Sequence, residues 1–253
     1  MAKLLDETAA GVFTIAATPF LPDGSLDLIS IDRMVDFYEE KGATGLTILG
    51  IMGEAGKLSA EESTIVIDRV TTRATVPVVV GVSAPGLAAI KAMSDSAMVR
   101  GAAGVMVAPP GHLRSDDQIT SYFQMVADVL GPTPWVVQDF PLVTGVQMTP
   151  KVIRTIFDTC PTAVMLKHED WPGLDKITTL RAQEASGARR ISILCGNGGQ
   201  FLLEEVLRGA DGAMTGFAYP EMMADVVRLV KAGDEARARD IFDAYLPLIR
   251  YES

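Results

Sequence analysis

The sequence predicts a closed (β/α)8 TIM barrel with one additional C-terminal helix, and three observations carry that prediction. Short apolar runs recur eight times along the 253 residues, each followed by a longer segment of helical periodicity. The runs are apolar almost throughout, which is the pattern of strands buried on both faces of a parallel sheet. No Gly-x-Gly-x-x-Gly fingerprint follows the first run, which disfavours an open dinucleotide-binding sheet. Regular alternation of strand and helix over this length then favours the barrel.

Taken in order, residues 12–17 form the first apolar run and residues 28–40 the first helical segment. The second strand, 45–49, leads through a glycine-rich turn to a helix over 60–73. Ser59, with Glu61 and Glu62 just beyond it, suits the free N–H groups at that helix start. Strands at 78–82 and 104–107 alternate with helices at 87–100 and 116–129. The fifth strand, 135–138, precedes a helix at 150–158, and the sixth, 163–167, precedes one at 174–185. The seventh strand spans 191–194 with a helix at 200–208, and the eighth spans 212–214 with a helix at 220–231. Pro220 stands at the first helical position, where its missing N–H costs nothing. Residues 235–246 read as one further helix. No linker, low-complexity stretch or change of composition divides the chain, so residues 1–232 are expected to form the barrel and 233–253 the start of a helical extension.

Composition narrows the partners. With 48% hydrophobic residues the chain can bury a large core as one domain. A formal charge of -10 and a pI near 4.7 disfavour nucleic acid and anionic membrane surfaces, which would be repelled at long range. A small metabolite fits better. Cys160 and Cys195 belong to no metal-spacing or Cys-x-x-Cys pattern and read as reduced core residues of a cytoplasmic protein. The first ten residues carry acids and no apolar stretch of signal-peptide length, and no run approaches the roughly 20 apolar residues that span a bilayer.

Lys167 is the leading candidate for chemistry, because it closes the apolar run Ala163-Val164-Met165-Leu166. The carboxyl ends of barrel strands carry the active site, and a lysine desolvated there can lose its proton and attack a carbonyl. A salt-bridged lysine at a strand end is the structural alternative. Glu169, two residues on, either moves protons on a bound substrate or serves as the ion-pair partner of the amine. Gly50-Ile51-Met52-Gly53 after strand two offers backbone amides for a carboxylate, although a tight turn with glycines chosen for their backbone angles is by itself the commoner explanation. Asp139 stands just beyond strand five, where a carboxylate acts as acid, base or loop cap. His112, after Pro109-Pro110-Gly111, is a proton shuttle or a solvated loop residue. Gly196 and Asn197 after strand seven and Thr215 after strand eight sit where polar substrate groups would bind, with turn chemistry as the alternative.

Taken together, the turn Gly50 to Glu54, the strand-five segment ending in Pro141 with Thr144-Gly145, and Lys167 resemble the dihydrodipicolinate synthase and N-acetylneuraminate lyase family over essentially the whole chain. The resemblance implies a barrel whose strand-six lysine, here Lys167, forms a Schiff base with pyruvate or another 2-oxo acid. It also implies a homotetramer or homodimer and no metal or organic cofactor, since the imine is the electron sink. Family members usually continue with further helices beyond the position of Ser253. The chain departs from the family in three places. The hydroxyl-bearing pair that holds the 2-oxo acid carboxylate is replaced by Ile51 and Met52, the proton-relay tyrosine falls at Gln138, and the arginine of dihydrodipicolinate synthases falls at Val143.

Val137-Gln138-Asp139-Phe140, the Lys167-x-Glu169 pairing, Ala213-Met214-Thr215-Gly216 and Leu246-Pro247-Leu248-Ile249 are similar to a subgroup that includes 2-keto-3-deoxy-L-arabonate dehydratase. The expected function is therefore a Schiff-base lyase acting on a small 2-oxo acid, dehydrating a 2-keto-3-deoxy sugar acid. The expected site comprises Lys167, Glu169 and Gln138, with Gly50, Ile51, Met52, Gly53, Asp139, Gly196, Asn197 and Thr215 binding substrate. A pyruvate-dependent aldolase or a synthase-type condensation is the alternative within the class. A non-catalytic 2-oxo-acid-binding protein is the alternative of another class, motivated by the missing tyrosine and hydroxyl pair.

Overall fold

The computed structural model describes residues 3–171 and 173–252, in which eight parallel strands close into a barrel in sequence order. The strands are β1 (Gly11–Ile15), β2 (Gly45–Ile48), β3 (Val78–Gly81), β4 (Gly104–Val107), β5 (Trp135–Asp139), β6 (Ala163–His168), β7 (Ser192–Cys195) and β8 (Gly212–Ala213). Closure is made by β8 against β1, with Gly11 opposite Gly212 and Val12 opposite Ala213. The helices are α1 (Leu28–Glu40), α2 (Ala60–Arg73), α3 (Leu87–Val99), α4 (Asp116–Leu130), α5 (Pro141–Thr144), α6 (Pro150–Thr159), α7 (Leu174–Ala185), α8 (Leu202–Leu207), α9 (Pro220–Lys231) and α10 (Glu235–Glu252). The expected capping of α2 is found: Ser59 Oγ accepts from the Glu62 amide, and the Glu62 carboxylate accepts from the Ser59 amide.

Differences from expectation lie at element ends and on the loops. β5 and β6 each run one residue further than their apolar runs, because ladder pairing continues through Asp139 opposite His168. α8 starts at Leu202 rather than residue 200, since the chain first makes a short helical turn at Asn197–Gly199. Two more short turns, Ala55–Lys57 and α5, occupy loops on the same end of the barrel. α10 does not stop at residue 246 but continues through Pro247 to Glu252. A proline inside a helix removes one backbone hydrogen bond. Here Ile249 is almost completely buried, and Leu246 and Leu248 pack on the main core, so apolar burial outweighs that loss. Ser253 lies outside the described residues.

Two apolar layers hold the molecule. One lies between the barrel wall and its helices. The other fills the barrel itself with Phe13, Ile15, Val79, Met106, Val136, Met165, Leu194 and Met214, and Leu5 with Ala9 packs against it near the amino ends of the strands. Strand alternation then decides what stands at the carboxyl ends. With Val136 and Met165 facing inward, Gln138 and Lys167 face inward as well, and they are register partners across β5 and β6. Asp139 and His168 consequently face outward. A register shift between Trp135 and Val136, where β6 carries Val164 as an extra residue, brings the two strands into this alignment.

Candidate active site

Lys167 Nζ lies 3.1 Å from Glu169 Oε2, and both side chains are more than nine-tenths buried. Gln138 Nε2 donates to the same carboxylate oxygen at 2.8 Å. Both contacts follow from the register of β5 and β6 and from Glu169 being two residues beyond Lys167, on the inward side. Backbone contacts hold Glu169 in place: its amide donates to the Asp139 carbonyl at 2.8 Å, and Asn197 Nδ2 donates to its carbonyl at 2.7 Å. Gly196 clears the space, since a Cβ there would fall 2.2 Å from Glu169 Cγ. Glu169 Oε1 has no hydrogen-bond partner among the described residues and remains available to a ligand.

Above this cluster opens a cavity of about 490 Å3, lined by Lys167, Glu169, Gln138, Asn197 and Thr215 together with Ile51 and Met52. Thr215 Oγ1 accepts from the Gly198 amide at 2.9 Å, tying the loops after β7 and β8 together. Met52 lies over the β8 loop, where Gly216 leaves room: a Cβ there would fall 2.1 Å from Met52 Sδ. Gly50 and Gly53 do not line the cavity, and Gly53 instead gives its carbonyl to Thr18 Oγ1 at 2.6 Å. The amides of residues 50–53 find no acceptor among the described residues. Of these, the N–H groups of Ile51 and Met52 belong to residues that line the cavity, where unpaired donors suit an anionic ligand group. Leu49, Glu54 and Asn197, all on loops bordering this end, hold positive φ angles of 54°, 55° and 50°, conformations that the surrounding packing must enforce.

Asp139 requires a correction: it does not line the cavity. It faces outward, fully buried, and accepts from Lys176 Nζ at 2.6 Å, and Lys176 also pairs with Asp170 at 2.7 Å. Burial pushes the Asp139 carboxyl above the usual carboxylate range, opposed by the Lys176 ammonium. His168 beside it is likewise outward, with Nδ1 2.9 Å from Glu205 Oε1. His112 is exposed on its loop and Gly196 stands behind Glu169 rather than in the cavity wall. Cys160 and Cys195 are buried free thiols, both pushed upward in pKa by burial.

The outward pair makes a stability prediction. Lys176→Met should cost about 3–5 kcal/mol at neutral pH, because it strands a buried carboxylate. In the variant the folded-state pKa of Asp139 rises further above its unfolded value, so the folded protein binds the extra proton between those two values and stability falls as pH rises. Urea unfolding at pH 5 and pH 7 should therefore show the larger deficit at pH 7. An equal deficit at both would remove Asp139 as its cause.

Sequence reasoning missed the remaining wall: Phe140, Leu142, Trp171, Gln200, Phe217 and Ile249 also line the cavity. Trp171 carried only its closeness in sequence to Lys167 and Glu169, since β6 ends at His168 and strand alternation does not extend to it. Ile249 carried none, because nothing local in α10 shows that its end returns to the barrel mouth. Among the described residues no group of three His, Cys, Asp or Glu side chains is placed to hold a metal ion, and no helix is long and apolar enough to cross a membrane.

Comparison with known proteins gives a consistent picture. The model of the dihydrodipicolinate synthetase family matches residues 8–252. A crystal structure described as dihydrodipicolinate synthase from Rhodopseudomonas palustris superposes with a TM-score of 0.98 at 56% identity, covering 99% of this chain and 84% of that one. The 4-hydroxy-tetrahydrodipicolinate synthase of Sorangium cellulosum is 33% identical over 247 residues, 94% of this chain and 79% of that protein. The L-2-keto-3-deoxyarabonate dehydratase of Azospirillum brasilense is 28% identical over 265 residues, 96% of this chain and 79% of that protein.

Proposed function

We propose, from the premise that the chain belongs to the dihydrodipicolinate synthetase family, that it is a Schiff-base lyase which dehydrates a 2-keto-3-deoxy sugar acid. The observation that carries this reading is the buried contact of Lys167 Nζ with Glu169, whose carboxylate Gln138 orients. Lys167 Nζ attacks the C2 carbonyl, and the carbinolamine loses water to give an iminium. The iminium acidifies the C3 protons, and Glu169 takes one of them to leave an enamine. The enamine expels the C4 hydroxyl, which leaves as water with a proton returned by Glu169 or a bound water. Hydrolysis of the conjugated iminium releases a dehydrated 2-oxo acid and restores Lys167. The unpaired amides of Ile51 and Met52, the two residues of that turn that line the cavity, are the proposed seat of the substrate carboxylate, with Asn197 and Thr215 meeting its hydroxyls.

Dehydration ranks above aldol cleavage because cleavage needs a base on a substrate hydroxyl, and the residue beside Lys167 on β5 is Gln138, whose amide cannot accept a proton usefully. The relatives include both a synthase and a dehydratase. Val143, where synthases carry arginine, supports the second. Membership also supports a homo-oligomer, dimer or tetramer, and the buried free thiols suit the cytoplasm. Borohydride reduction with pyruvate should leave a mass adduct on Lys167, and incubation with a 2-keto-3-deoxy pentonate should yield water loss without free pyruvate. Release of pyruvate would move the reading to aldolase, and absence of any adduct would move it to a binding protein.

A further inference from the structure

We propose that the substrate of this site ends in an apolar group, so that the preferred 2-keto-3-deoxy acid terminates in a methyl or larger hydrocarbon group instead of a hydroxymethyl. The inference rests on the Schiff-base reading and adds what lies beyond the reacting carbons.

The polar groups of the cavity are few and largely engaged with one another. Gln138 Nε2 and Lys167 Nζ share one oxygen of Glu169, Asn197 Nδ2 is committed to the Glu169 carbonyl, and Thr215 Oγ1 already accepts from Gly198. What they retain, chiefly Glu169 Oε1, the Thr215 proton and the side-chain carbonyls of Gln138 and Asn197, is gathered around Lys167 and can serve the reacting carbons and one or two hydroxyls near the imine. The rest of the wall is hydrocarbon supplied by four separate parts of the fold: Phe140 and Leu142 after β5, Trp171 after β6, Phe217 after β8 and Ile249 from α10. Trp171 is held there by an edge-on contact with Phe201, ring centroids 4.8 Å apart at 71°. Leu142 and Trp171 are 65% and 44% exposed, so apolar surface faces the cavity and its mouth uncovered. The other polar lining residues, Gln200 and Glu252, are themselves in contact with solvent, and Glu252 lies in the last turn of α10.

A terminal hydroxyl placed against that wall would give up its water without a replacement partner, whereas a methyl would cover surface that is otherwise wet. The cavity volume of about 490 Å3 leaves room for such a group beyond a four- or five-carbon reacting portion.

The test compares two 4-hydroxy-2-oxo acids identical through C5 that end in CH3 or in CH2OH, with pyruvate as the common reference. The readouts are half-saturation of the borohydride-trapped Lys167 adduct and kcat/KM for water loss. The methyl-ended compound should be favoured about tenfold or more. In Leu142→Gln, which adds a hydrogen-bonding amide to the wall, the ratio of the two acids, each read against the pyruvate adduct of the same variant, should fall; Trp171→Ala should lower it too. Equal or reversed preference in the wild type, with the pyruvate adduct intact, overturns the apolar terminus alone. No adduct with pyruvate or either acid overturns the Schiff-base reading and this inference with it.

Discussion

Lys167→Ala should lower kcat/KM for the dehydration by on the order of 10^4- to 10^6-fold, the range in which loss of a covalent nucleophile falls, and should abolish borohydride-dependent labelling by pyruvate. The size of the effect follows from the part proposed for the amine. Without an iminium the C3 protons lie next to an ordinary ketone, and among the described residues that line the cavity Lys167 is the one primary amine. The variant should remain folded, because Glu169 keeps its hydrogen bond from Gln138 and its backbone ties to Asp139 and Asn197. An unfolding transition close to that of the wild type would establish this. Activity within tenfold of the wild type in Lys167→Ala would remove the amine from the reaction.

Glu169→Gln separates imine formation from proton transfer. The amide keeps the size of the side chain and its seat over Gly196, where a bulkier neighbour has no room, but it cannot take a proton from C3. Pyruvate should still form its adduct on Lys167. Exchange of the pyruvate methyl protons with deuterium, followed by NMR, should slow by about 10^2- to 10^4-fold, the usual contribution of a positioned general base. If exchange proceeds at the wild-type rate, Glu169 is only the ion-pair partner of Lys167, and the base must be sought elsewhere in the cavity.

How much of this was legible beforehand depends on the kind of signal each residue carries. Lys167 stood out because an ammonium at the end of four apolar positions contradicts its surroundings. The strands stood out because each is a dense apolar run, and helix α2 because Ser59 and Glu62 announce its start. Asp139 shows where legibility fails. It follows Gln138 directly, and both are expected at the pocket, yet Gln138 lines the cavity beside Glu169 and Asp139 makes an ion pair with Lys176 behind the wall. Residues 135–138 are apolar or neutral on both faces, so the run contains no polar and apolar alternation from which the inward face can be read. The extra residue at Val164 further disturbs any count along β6.

The apolar wall was hidden for a related reason. Phe140, Leu142, Trp171, Phe217 and Ile249 each look like ordinary loop or helix hydrophobes, and only barrel closure and the return of α10 bring them to one cavity. The helix expected over 235–246 runs on through Pro247, because the local breaking tendency of proline is outweighed by burial of the residues after it. By itself the sequence determined the barrel, the order of its elements and the lysine at the end of the sixth strand, since these depend on local periodicity and on one charge out of place. Tertiary structure alone decided which carboxylate meets that lysine, which faces away and what surrounds the substrate. Those outcomes depend on register between neighbouring strands and on contacts between residues far apart in the chain, and neither is encoded in any local pattern.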